Sequence, residues 1–352
     1  MRQKTIAMAT KTIPSTFRSW QYKSTAGGLE NNLTLNTIPM LQPKADEHLV
    51  KIIAAGLNPA DYRLSEWQFL HRTSFPKPAS PGNDFAGYIV KPAAGSGLTP
   101  GQLVFGGAGK NFMFGGSMSE YGTANINHAV PIPPGLSVVD AAGIAIAGLT
   151  AYQSIIPHSK PGSRIFINGG SGGVGTFGIQ IAKAEGRHVT VSCSTANIEF
   201  CKSLGADEVI DYKKHNVLQA LKDSPYKYDL VCDYVGENYD LFWQADKYTN
   251  PTAKYITVAV SHHLSCIKFI TTAQFMPRFL SGAKRQHLTV FGKPDKEVLS
   301  KVANMMAEGK IKSVIDSKYK FEDVKEAYVK LKTGRAKGKI IVQVAPEEEQ
   351  TA

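Results

Sequence analysis

The sequence predicts an α/β protein with a β-rich domain and a second domain built on a doubly wound parallel sheet. Three observations carry this. At 352 residues the chain exceeds what one hydrophobic core usually serves, so two domains are expected. From about residue 16 to 133 it reads as short strands punctuated by Gly and Pro, with no long amphipathic helix. From about 134 onward nearly continuous apolar strands alternate with helices, the pattern of a parallel sheet covered on both faces.

In the first stretch, Phe17–Lys23 opens the fold. HLVKIIAAGL (48–57), GYIVKP (87–92), GQLVFGG (101–107) and SEYGTAN (119–125) follow as strands of an antiparallel, partly barrel-like domain. A helical stretch, 133–156, starts at the pair Pro133-Pro134. SRIFIN (163–168), HVTVSC (188–193), EVIDY (208–212) and YDLVCDYV (228–235) are strands, each followed by a helical segment, and AKYITVAV (253–260) closes the run. Beyond 281 come a helix at 295–308, an extended stretch at 311–321, a helix at 322–332 and a final strand at 339–344. The expected domains are 1–133 (with 1–14 as an extension), 134–281, and 282–352, which returns to the first domain and ends in a disordered tail, EEEQTA. No internal repeat is present.

Composition narrows the class. The content, 43% hydrophobic and 20% charged, is that of an ordinary globular protein. Cys193, Cys201, Cys232 and Cys266 form no CxxC pair, which argues against a disulfide framework or a cysteine-built zinc site and suits a reducing compartment. The formal charge is +11, but the lysines are scattered, with no long basic run and no interleaved aromatics. An electropositive cleft for a phosphorylated cofactor explains this better than nucleic acid as the main partner. No apolar stretch reaches membrane-spanning length; Ala141–Ala151 is far too short. Arg2, Lys4, Lys11 and Arg18, with no acid before Glu30, faintly resemble a mitochondrial presequence. A cytoplasmic protein with a short basic extension is the expectation, and a mitochondrial one the alternative.

The most specific local signal is IFINGGSGGVGTFGIQIAKAE (165–185). A short apolar strand runs into Gly170-Ser171-Gly172-Gly173-Val174-Gly175, and a helix opens directly afterwards. In such a loop Gly170 allows the tight turn, Gly172 lets the backbone approach a pyrophosphate, and Gly175 lets helix and strand pack closely. The helix N-terminus offers free N–H groups and a positive dipole end to the phosphates. NAD-binding versions place an acid about 20 residues later, on the ribose 2′-hydroxyl. Here the second strand ends in Ser192-Cys193-Ser194-Thr195, with Asn197 just beyond and no acid. Small polar side chains leave room for a 2′-phosphate and donate to it, and Tyr212 with Lys213 could reach it from the third strand. The expected cofactor is NADP(H). The alternative is that Ser194 and Tyr212 are merely polar strand ends.

Several further motifs stand in order along the chain: Asn58-Pro59-Ala60-Asp61, Pro81-Gly82-Asn83-Asp84-Phe85-Ala86-Gly87, Ser119-Glu120-Tyr121, Gly148-Leu149-Thr150-Ala151-Tyr152, Lys202–Asp207 and Gly338-Lys339-Ile340-Ile341-Val342. With the glycine loop they make residues 16–344 resemble the medium-chain dehydrogenase/reductase superfamily. Within it the chain is most similar to the zinc-independent quinone oxidoreductase and enoyl reductase branches, including fungal trans-enoyl-reductase-like proteins. The resemblance implies a GroES-like catalytic domain, a Rossmann domain and a homodimer joined near His287–Phe291. Zinc alcohol dehydrogenases carry Cys where this chain has Asn58 and His-Glu where it has Asn83-Asp84, and asparagine is a poor zinc ligand. No metal is therefore expected. His262-His263-x-x-Cys266 is read as surface or pocket lining.

The resemblance also assigns roles. Asn58 and Thr150 would lie near the nicotinamide and its ribose, and the loops Asp233–Gly236 and Thr257–Ala259, with Val235, Gly236 and Val258 in them, and Lys339 would line the cofactor. Tyr62 is the candidate proton donor, with a packing tyrosine as the alternative. Hydride transfer without a metal needs an activated acceptor, such as an enone, enal, enoyl thioester or quinone, so the expected substrate is a small, apolar, conjugated molecule. Phe112, Phe114, Phe269, Phe275 and Phe279 could wall its cleft, though helix packing is the commoner use of the last three. Two other readings stay open. One is a trans-acting enoyl reductase of polyketide biosynthesis; the other is a cofactor-binding protein with little turnover, of the crystallin or RNA-binding kind.

Overall fold

Glu47–Leu57 is buried almost throughout and forms the middle of a sheet, as its run of Leu, Val, Ile and Ala demands. In the computed structural model, residues 13–67, 76–109, 115–258, 264–276, 280 and 282–345 are described. By internal contact they fall into two units. The first comprises residues up to Leu149 with Pro294–Gly309 and Ser313 onward; the second comprises Thr150–Lys293 with Lys310–Lys312.

The first unit holds β1 (Thr16–Gln21), β2 (Thr34–Pro39), β3 (Glu47–Leu57), β4 (Asp84–Lys91), β5 (Leu103–Gly107), β6 (Tyr121–Asn125) and β7 (Ala129–Pro131). The second holds β8 (Arg164–Asn168), β9 (His188–Cys193), β10 (Glu208–Asp211), β11 (Tyr228–Asp233), β12 (Thr249–Thr257) and β13 (Gln286–Thr289). The chain then returns to the first with β14 (Ile315–Lys320) and β15 (Lys339–Gln343).

In the first unit β1 and β2 pair antiparallel, and a seven-stranded sheet runs β14-β15-β3-β4-β5-β7 with β6 against β3. Its core joins Val50, Ile52, Phe85 and Val104 to Ile340 and Val342 of the returning strand. The helix Val324–Lys332 buries Val324, Ala327, Tyr328 and Leu331, spaced three and four apart on one face. The predicted helical stretch 133–156 is broken. Helices Val138–Ala141 and Ala145–Ile155 flank a turn at Ala142–Ile144, and the chain up to Leu149 belongs with the strands of the first unit.

The second unit is an all-parallel six-stranded sheet in the order β10-β9-β8-β11-β12-β13. This is the doubly wound order, reversing between β8 and β11. The expected run stops one strand short of this sheet. Gln286–Thr289 pairs parallel to β12 and keeps the second unit going to Lys293, beyond the boundary expected at 281. Four residues that include a Gln and a His carry too little apolar pattern to announce a strand. Among the described residues, no helix is long and apolar enough to cross a membrane, and the four cysteines are buried and form no disulfide. Phe112, Phe114, His262, His263, Phe279 and the EEEQTA segment lie outside the described residues.

Candidate functional site

In the second unit, the glycine loop is cut to fit on all sides but one. A Cβ on Gly170 would lie 2.8 Å from Val191 Cβ, and one on Gly175 would lie 2.2 Å from the Gly169 carbonyl oxygen. These two glycines are required by the protein's own packing. At Gly172 the nearest atom to such a Cβ is 3.8 Å away, so nothing near it in the chain demands a glycine there. Gly172 is also the N-cap of the helix Gly173–Ala184, and no side chain caps that helix. An uncapped helix end beneath an open glycine fits a pyrophosphate approaching backbone N–H groups.

A buried polar chain gives the loop its shape. Ser192 Oγ accepts from Gly169 N at 3.0 Å and donates to Asn168 Oδ1 at 2.6 Å. Asn168 Nδ2 donates to Asp233 Oδ1 at 2.8 Å, and the same oxygen accepts from the N–H groups of Val235 and Gly236 at 3.0 Å each. Tyr255 donates to Asp233 Oδ2 at 3.0 Å. The turn at Val235–Gly236 is thereby tied to the glycine loop, and a Cβ on Gly169 would lie 2.9 Å from Val235 Cγ2. Val258 continues from β12 through an N–H bond to the Asp233 carbonyl at 3.0 Å. Asn168 is a support of this site that the sequence motifs did not single out; Ser192, named there as part of a strand end, and Asp233, as the start of a loop lining the cofactor, act here as further supports. Polar residues at the carboxyl ends of three neighbouring apolar strands were the available signal.

Around the second strand end, Asn197 Nδ2 donates to Ser171 Oγ at 3.0 Å, which joins the two expected cofactor segments. Its Oδ1 is buried without a partner. Ser194 is half-buried, and Tyr212 is 51% exposed with Lys213 Nζ 5.5 Å from its ring centroid. The third strand does end in an acid. Asp211, opposite Cys193 in the sheet, accepts from Thr195 Oγ1 at 2.7 Å and from Lys213 N at 3.0 Å. The Thr195 hydroxyl holds its carboxyl below the usual range.

The first unit contains a second cluster, almost entirely buried. Asn58 precedes the helix Pro59–Glu66, and Asp61 Oδ2 accepts the Asn58 N–H at 2.8 Å. Asn83 Nδ2 donates to Asp61 Oδ1 at 2.6 Å. Burial pushes the Asp61 carboxyl up to about 7, against the pull of those two hydrogen bonds. Lys339 Nζ donates to Leu57 O at 2.9 Å, Asn58 Oδ1 at 2.5 Å and Asp84 Oδ2 at 3.1 Å. All three ammonium hydrogens of Lys339, which the resemblance placed at the cofactor, are thus engaged within the chain. Among the described residues, no three His, Cys, Asp or Glu side chains are grouped so as to hold a metal ion. The cation inside this cluster is the chain's own ammonium.

Thr150 is buried in the helix Ala145–Ile155. The Tyr62 ring packs against the first unit's apolar core beneath Lys332 Nζ, 5.3 Å from its centroid, and Lys332 in turn donates to Glu30 and Glu66. Phe269 belongs to the second unit's core, 4.5 Å from Tyr239 and 5.6 Å from Phe242 between ring centroids, rather than to a cleft wall. Phe275 is 75% exposed.

Residues 44–134 match the alcohol dehydrogenase GroES-like domain family, and residues 204–342 the zinc-binding dehydrogenase family. The chain is 44% identical to trans-enoyl reductase pgmF of Aspergillus terreus, covering 95% of this chain and 98% of the relative. It is 30% identical to the NADPH-dependent alkenal/one oxidoreductase of Arabidopsis thaliana chloroplasts, covering 96% of this chain and 82% of the relative. The quinone oxidoreductase structure from Coxiella burnetii superposes with a TM-score of 0.82 at 26% identity, over 94% of this chain and all of that one.

Proposed function

This chain belongs to the medium-chain dehydrogenase/reductase superfamily, in its zinc-independent quinone oxidoreductase and enoyl reductase branch, and on that premise we propose that it is an NADPH-dependent reductase of activated double bonds or quinones. The observation that carries the cofactor half of this reading is the open position at Gly172 above an uncapped helix end. Gly170–Gly175 and Asn197 would hold the pyrophosphate side of NADP(H), and Val235, Gly236 and Val258 the nicotinamide side. Ser194 and Tyr212, with Lys213, would meet the 2′-phosphate.

When bound, the cofactor supplies the hydride. The chain's own task is to hold the acceptor and to offer donors to the oxygen on which negative charge develops. Asn58 and Thr150 are assigned to that task. The substrate is a small, apolar, conjugated carbonyl or quinone. The 44% identity to a protein named trans-enoyl reductase favours a second reading of the same chemistry, with an enoyl thioester carried on a partner protein as acceptor. We also assign the chain to the cytoplasm, which suits cysteines that form no disulfide. The homodimer is assigned to β13, the edge strand of its sheet, beside Phe291, which is 71% exposed.

The test is NADPH oxidation measured with a panel of enals, enones, quinones and enoyl-pantetheine thioesters. Turnover of the free acceptors is expected; reduction of the thioesters alone would favour the second reading. No oxidation with any of them, alongside salt-sensitive RNA binding, would overturn both.

A further inference from the structure

We propose that Lys339 is a positioning residue for this reduction: its buried ammonium, balanced by Asp84, holds the Asn58 amide in the one orientation that offers an N–H donor to the reacting oxygen. The inference rests on the reduction proposed above and gives one residue pair of the first unit a role in it.

An ammonium can only donate, so the Asn58 atom facing Lys339 at 2.5 Å must be the carbonyl oxygen Oδ1. The orientation of an asparagine amide is ordinarily ambiguous; here the partner's chemistry decides it. The three hydrogens of Lys339 meet three acceptors, Leu57 O, Asn58 Oδ1 and Asp84 Oδ2. The second Asp84 oxygen accepts from Ile146 N at 3.0 Å. Asn58 is also gripped by its backbone, through the Asp61 carboxylate. Its Nδ2, by contrast, has a single long contact, 3.4 Å to Gly56 O. At least one amide hydrogen is left over in a residue only 4% exposed. An unused donor inside a buried network is costly unless something arrives to accept it.

Local sequence explains how the lysine gets there. Ile340 pairs with Leu57 in the antiparallel ladder of β15 and β3, so Lys339 lies beside the residue that follows β3, Asn58. Gly338 has φ 86°, and a Cβ on it would lie 2.2 Å from Val314 O, so only glycine lets the chain enter the strand here. The charge pair itself, with Lys339 2% and Asp84 0% exposed, is weak grounds for a purely stabilising role, since buried pairs are often replaceable without loss.

The experiment uses the double variant Lys339→Met/Asp84→Asn, which removes both charges and leaves neither uncompensated; the amide introduced by Asp84→Asn can still accept from Ile146 N. Its NADPH Kd, its kcat and KM with 2-hexenal, and its ligand-free neutron structure, which locates the Asn58 amide hydrogens, are compared with those of the wild type. The expected result is a folded enzyme with Kd nearly unchanged, kcat lowered about tenfold or more, and a rotated Asn58 amide. If the pair served stability alone, the double variant would keep wild-type kcat and the same amide orientation; either result overturns the proposal. Lys339→Arg, still a pure donor, should recover part of kcat. Asn58→Asp tests the donor independently of whether the double variant folds: it keeps an oxygen for Lys339 but offers the site an oxygen in place of N–H. It should lose turnover, and wild-type turnover would overturn the proposal. Should the wild type reduce no acceptor, the reductase reading falls, while the ligand-free amide orientation still decides the role of Lys339.

Discussion

Asn168 donates its side-chain N–H to Asp233 at 2.8 Å, linking the carboxyl ends of β8 and β11 at the point where the parallel sheet reverses its order. The Asp233 residue is 3% exposed, and its carboxylate serves four donors, two of them the backbone N–H groups of Val235 and Gly236. Asp233→Ala should therefore weaken NADPH binding at least tenfold and destabilise the fold by about 3 kcal/mol, because several buried donors lose their acceptor. Fluorescence titration with NADPH and urea unfolding check both; an unaffected Kd would mean that the turn holds its shape without this carboxylate.

Two glycines of one loop should separate folding from binding. Gly175→Ala places a Cβ 2.2 Å from a carbonyl oxygen and is expected to disrupt the second unit. Gly172→Ala meets nothing closer than 3.8 Å and should leave the melting temperature near wild type while lowering NADPH affinity. Thermal melts with and without NADPH give both readouts. Full affinity in Gly172→Ala would remove the pyrophosphate from this position.

Ser194→Asp puts a carboxylate where a 2′-phosphate is assigned. NADPH affinity should fall at least tenfold, about 1.4 kcal/mol, while NADH affinity holds or rises. Comparing the two Kd values in wild type and variant is sufficient. Tighter binding of NADH than NADPH by the wild type would sink the cofactor assignment.

The Tyr62 ring is a packing element under Lys332. Tyr62→Phe keeps that ring, so kcat should stay within about twofold of wild type; a loss of about tenfold would instead mark Tyr62 as the general acid.

His287 sits in an aromatic cage, its ring centroid 5.2 Å from that of Phe242 and 5.1 Å from that of Phe269, and burial lowers its pKa to about 4. The unfolded chain binds the proton near 6.5 and the folded one does not, so this contribution to stability is full above about pH 6.5 and falls as the pH drops towards 4, by about 3 kcal/mol. Urea midpoints at pH 7 and pH 4.5 should converge in His287→Phe relative to wild type. An equal acid loss in both would assign it to other groups.

Much of this protein is written in local pattern. Period and punctuation place most of its strands, from β3 with its Val and Ile to the apolar β8 before the glycines, because burial selects those residues strand by strand. Three strands escaped. β2 is largely half-exposed and held by β1, β7 has only three residues, and β13 is held by β12 and the aromatic cage rather than by its own pattern. The glycine spacing likewise announced a phosphate-binding turn, and Ser194 a place without an acid. What spacing could not supply is which glycine is required by packing and which is open to a ligand. That depends on where Val191 and the Gly169 carbonyl come to lie. Nor could it show that Lys339, 281 residues after Asn58, donates to it, or that Asp233 organises a turn and a glycine loop on different strands. Such contacts exist only once the sheets are assembled, because hydrogen bonds reach about 3 Å while sequence pattern records only what each residue's own segment buries.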